Sequence, residues 1–79
     1  MVSYEDKYIQ WTTLRQQRYQ DVHELMNLFH TLRTKLGIKY SEKNLVIKYR
    51  SCLQRYIQEE MEFLNIASLL TAYQYATNI

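Results

Sequence analysis

The chain has 79 residues with one Gly, no Pro and one Cys, is 47% hydrophobic and 23% charged, and carries a net charge of +2, which describes at most one small domain. Eight Tyr, two Phe and one Trp are too many aromatics for a disordered tail, and no apolar run is long enough to span a membrane. Cys52 has no partner for an internal disulfide and the opening MVSYEDKYIQ lacks the apolar stretch of a secretion signal, so a reducing, intracellular setting is expected.

Nearly every stretch repeats at helical spacing, so the expected fold is all-α: a compact bundle of about five short helices. Ser3 with Asp6 is a capping signature, and Tyr4, Tyr8, Trp11 and Leu14 then recur three to four residues apart, predicting a first helix over 4–16. Asp21 with Glu24 opens a second over 22–36, whose inner face is Val22, Leu25, Phe29, Leu32 and Leu36 and whose stop is Gly37. Ser41 caps a third over 42–52, with Leu45, Val46, Tyr49 and Leu53 on one side. A break between Cys52 and Arg55 starts a fourth over 55–64, carrying Ile57, Met61 and Leu64. Asn65 is the expected cap of a fifth over 66–78, where Ile66, Leu69, Leu70, Tyr73 and Ala76 point inward and Ala72 and Ala76 permit close approach.

Chemistry-bearing groupings are sparse. His23 and His30 stand seven residues apart on one helix, roughly 10.5 Å along its axis, with no second Cys to complete a metal site. Cys52 falls on the core side of the third helix, where a small buried thiol is the ordinary role. Glu59, Glu60 and Glu62 splay around their helix as a solvated face, and the single glycine makes no phosphate loop. The expectation is a non-enzyme with no cofactor and no metal.

The segment LRQQRYQDVHELMNLFHTL followed by LGIKYSEKNLVIKYRSCL resembles the capsid region of Gag from long-terminal-repeat, gypsy-class retrotransposons. The family's Leu-x-Gln element, Val, aromatic, Phe and Leu correspond here to Leu14, Gln16, Val22, Leu25, Phe29 and Leu32, with Leu25 replacing the aromatic. A downstream pattern matches Leu45, Val46, Tyr49 and Leu53, and a closing apolar helix matches Ile66 to Ala76, so the resemblance covers essentially the whole chain. The Gln-to-Phe spacing is also similar to the major homology region of retroviral capsids. There Gln, Gly, Glu and Arg form a polar network; here Gln16 keeps the first position, while Gln17, Gln20 and Leu28 stand at the others. An amide at Gln16 suits backbone groups in the turn before the second helix.

This resemblance implies a fold like the C-terminal domain of retroviral capsids: one lobe of a two-lobed protein, whose partners are further copies of itself and an N-terminal lobe. It implies intracellular, cytoplasmic particles, no membrane contact and only indirect or weak contact with nucleic acid. By order, the family's two-fold contact falls on the third helix. There Ile47 lies opposite the core face with Lys43, Arg50 and Ser51, forming the expected dimer interface. Tyr4, Tyr8 and Trp11 are the alternative interface, beyond what a small core covers. Two other functions remain open. Residues 33–55 hold seven basic side chains against Glu42, suiting a small helical nucleic-acid-binding domain, and an adaptor bundle unrelated to Gag predicts a one-to-one complex with another chain.

Overall fold

The structure, a computed structural model, describes residues 4–79. Among them are five helices and no strand: α1 Tyr4–Thr12, α2 Val22–Leu36, α3 Glu42–Cys52, α4 Arg55–Met61 and α5 Leu69–Thr77. The expected cap Ser3 lies outside the described residues.

α2 is the centre of the bundle, and its ends are built from local chemistry. The Asp21 carboxylate accepts the Glu24 N–H at 2.8 Å, satisfying one of the amides that no preceding turn can reach. At the other end Gly37 adopts φ 64° and ψ 38°, a left-handed conformation that favours glycine. From there Gly37 and Ile38 return their N–H groups to the carbonyls of Thr34 and Arg33. Between these stops Val22, Leu25, Met26, Phe29, Leu32 and Leu36 are buried, each worth about 1.5–3 kcal/mol of transfer free energy. α1 packs on α2, and α5 packs on α2, α3 and α4. One core results, continuous from Trp11 through Tyr49 and Leu53 to Ala76.

Three helices are shorter than their periodicity predicts. α1 ends at Thr12, four residues before the expected limit. The Thr12 and Thr13 hydroxyls and the Thr13 N–H all turn to the Ile9 carbonyl, while the Gln16 N–H goes to the Cys52 carbonyl at 2.7 Å. α4 stops at Met61 instead of running to 64, because the Arg50 guanidinium donates to the Met61 carbonyl at 3.2 Å and the chain tightens into three-residue turns at Glu62 and Leu64. α5 begins at Leu69 with Ser68 as its cap, not at 66 behind Asn65. Ser68 Oγ accepts the Thr71 N–H at 3.1 Å, and Glu42 on α3 accepts the Leu69 N–H at 2.6 Å.

The later start fixes which face of α5 is buried. Leu69, Ala72 and Ala76 turn inward and Tyr73 is half-buried, whereas Leu70, expected inside, is 64% exposed. It lies about 100° around the helix from Leu69. Ala72 and Ala76 bring no bulk to the seam with the neighbouring helices. The break between α3 and α4 is as expected: Leu53 and Gln54 are both extended, at ψ 157° and 151°.

Candidate assembly interface

Gln16 is the hinge pin of the loop that joins α1 to α2. Its Nε2 donates to the Gln20 carbonyl at 2.9 Å, which is the link to the turn before α2 that its position suggests. Its Oε1 accepts the Gln54 N–H at 3.0 Å, so one amide side chain ties that turn to the junction between α3 and α4. Gln54 replies by donating Nε2 to the Gln17 carbonyl at 3.1 Å, and Gln20 Oε1 accepts the Gln17 N–H at 2.9 Å. The glutamines at 16, 17 and 20 thus form a network with Gln54, while Leu28 takes no polar part. Leu14, Val22, Leu25, Phe29 and Leu32, the other members of the homology-region-like set, are all buried.

The outward face of α3 carries Lys43, Ile47 and Ser51 in solvent, with Ile47 56% exposed. Arg50 differs: it is half-buried and held by the Met61 carbonyl, which fixes its guanidinium at the edge of α4. The sequence pattern does not reveal what α4 adds. Arg55, Gln58, Glu59 and Glu62 stand across an open hollow of about 490 Å³ from Ile47 and Arg50, so an exposed apolar side chain is framed by two cations and two anions. Arg55 Nε and Glu59 Oε1 are 3.6 Å apart on the open surface, a pair that contributes little to stability by itself.

The alternative interface on α1 divides. Trp11 is a core residue, 1% exposed, and is withdrawn from it: its ring packs on Phe29 at 4.8 Å, Lys48 Nζ lies 5.2 Å over it, and its indole N–H reaches Tyr40 Oη at 3.5 Å. Tyr4 and Tyr8 remain exposed, stacked with centroids 6.4 Å apart, and Ile9 joins them at 58% exposed. Ile9 is off the three-to-four spacing that picks out Tyr4 and Tyr8, which hides it in the sequence.

The basic residues of 33–55 have different surroundings: Arg33 lines a groove between α2 and α5, whereas Arg50 and Arg55 line the hollow beside Ile47. Lys48 covers Trp11, Arg50 is bound to the end of α4 and Arg55 faces Glu59. His23 Nδ1 meets Tyr73 Oη, and His30 lines the groove that holds Arg33. Among the described residues no three His, Cys, Asp or Glu side chains gather as a metal site, and no helix is long and apolar enough to cross a membrane. Cys52 is buried, and desolvation pushes its thiol pKa up despite the nearby Lys48 charge, keeping it a protonated thiol at neutral pH. Burial likewise raises the Tyr49 phenol, with Tyr73 and Cys52 adding to the shift; its hydroxyl has no hydrogen-bond partner among the described residues. Comparison with protein-family models, with curated proteins and with solved structures gives no match to this chain.

Proposed function

We propose that the chain is a capsid-type structural lobe of a Gag protein, from a retrotransposon or a domesticated relative, that works by homotypic contact and not by catalysis. The observation that carries this reading is the α3–α4 face: Ile47 exposed at the centre, Arg50 anchored beside it, and charges of both signs around it. A two-fold axis through such a face brings Ile47 against its own symmetry mate and sets the cations of one copy beside the anions of the other. A contact built from one short helix and its neighbour is small, so the dimer is weak in isolation and gains strength when many copies assemble. The Gln16 network supports the same reading, because it gives the homology-region-like glutamine a long-range structural task. Lys48, Arg50 and Arg55 are engaged by neighbours within the chain, which does not favour a nucleic-acid-binding role, and any contact with RNA is indirect in this reading.

Sedimentation equilibrium over a concentration series tests it, with the wild type beside Ile47→Asp and circular dichroism to check that both stay helical. The expected result is a concentration-dependent dimer in the wild type that disappears in the variant. A wild type that is monomeric at millimolar concentration, or a variant that dimerises equally well, sinks the proposal.

A further inference from the structure

The outward side of α4 carries a stripe of charge that has a direction. Arg55, Glu59 and Glu62 follow one another at spacings of four and three, and Glu62 keeps helical backbone at φ −58° and ψ −40°. The three therefore share one side of the helix. All are exposed and line the hollow beside Ile47. The cation stands at one end of the stripe and the anions toward the other, with Arg55 and Glu62 roughly 10.5 Å apart along the axis.

This order is the unfavourable one for α4 by itself. A helix start carries partial positive charge on its unpaired N–H groups, and a helix end carries partial negative charge on its carbonyls. Yet Arg55 is the first residue of α4, while Glu59, Glu60 and Glu62 stand in and just beyond its last turn. The 3.6 Å pair of Arg55 with Glu59 also has the weaker of the two i,i+4 orders, with the base N-terminal to the acid. Glu62 has no ion pair among the described residues, and Arg50, on the same hollow, donates to the Met61 carbonyl instead. A stripe that runs from plus to minus repels a copy laid in the same direction and complements a copy laid in the opposite one.

We infer that α4 of one copy lies antiparallel to α4 of a second copy, with Arg55 of each set against Glu62 of the other, and that these pairs decide which copies accept one another. The inference rests on the reading of the α3–α4 face as a two-fold contact and adds a second helix to it. A two-fold axis that brings Ile47 to its symmetry mate and crosses α4 near Gln58 and Glu59 reverses the second α4 in the required way. Ile47 then supplies the apolar contact, and the Arg55–Glu62 pair, formed twice by symmetry, supplies the selectivity.

The test reverses each charge singly, as Arg55→Glu and Glu62→Arg, and follows association by sedimentation equilibrium at low salt. Alone, each variant meets itself with like charges at two symmetric places, and its dimer is expected to be about tenfold weaker than that of the wild type. Mixed in equal amounts, the two variants regain opposite charges at both places, and the mixture is expected to associate as strongly as the wild type. These differences are expected to shrink as salt is raised. Both side chains are exposed, and each reversal gives its end of α4 the sign that the helix favours, so circular dichroism is expected to show an unchanged fold. Variants that each dimerise as tightly as the wild type, or a mixture no stronger than either variant alone, overturn the inference. If the wild-type dimer is at the same time lost in Ile47→Asp, the α3 contact stands and the α4 pairing alone falls. A wild type that stays monomeric at millimolar concentration overturns both.

Discussion

α1 and α2 touch through one aromatic pair, Trp11 on Phe29, yet they are specified in opposite ways. α2 has fifteen residues, six of them buried, and a hydrogen-bonded stop at each end. α1 has nine residues and buries one, Trp11. A helix of that length is marginal alone in water, so it is held by a single anchor and by the hydroxyl-rich turn that ends it. A helix defined by a whole apolar face has little surface left to offer, whereas a helix defined by one anchor leaves the rest uncommitted. Tyr4, Tyr8 and Ile9 are exposed on α1 for that reason.

The sharpest break of this contrast is a pair of truncations. Phe29→Ala is expected to cost about 4 kcal/mol, which exhausts most of the stability of a domain this size, so all five helices melt together. Trp11→Ala removes comparable contact area, but its loss is expected to stay local: hydrogen exchange should find the α1 amides unprotected while those of α2 remain slow. Equal loss of protection in both helices means that α1 opens only together with α2 and the contrast is wrong.

A smaller effect tests the seam between the α1–α2 loop and the α3–α4 junction. Gln16→Leu leaves the Gln20 carbonyl and the Gln54 N–H without their partner. The expected cost is about 2 kcal/mol in urea unfolding, against about 1 kcal/mol for the local cap removed by Asp21→Ala. If the two variants lose the same amount, the long-range link contributes no more than a helix cap.

The smallest expected change has the opposite sign. The buried Tyr49 hydroxyl is unpartnered among the described residues, so Tyr49→Phe is expected to stabilise the fold by about 1 kcal/mol at neutral pH. Because burial raises the Tyr49 and Cys52 pKa values, the folded state favours their protonated forms. Their contribution is complete below the ordinary thiol and phenol values and is lost as pH rises through the raised ones. Urea midpoints between pH 7 and 11 are therefore expected to fall at the alkaline end, with the advantage of Tyr49→Phe growing above about pH 10. An advantage that shrinks there contradicts the assigned direction.

The apolar face of α2, its Asp21 cap and Gly37 stop, the Ser41 cap and the break after Cys52 were legible in the sequence, because each depends on residues within about four positions of one another. So was the exposure of Ile47, which follows from its angle on α3. The last turns of α1 and α4 and the start of α5 were not, and neither was the inward or outward turn of Trp11, Tyr4 and Leu70. Gln16 reaches Gln54, Arg50 reaches Met61 and Glu42 reaches Leu69, pairings that span 38, 11 and 27 positions. Periodicity describes which side of a helix is apolar; it carries no information on which distant side chain satisfies a terminal amide or carbonyl. Local chemistry along the chain thus determined that there are helices here and which faces they bury. Only the packed structure decided where they stop, because an orphan backbone group ends a helix wherever a partner from another element comes within reach.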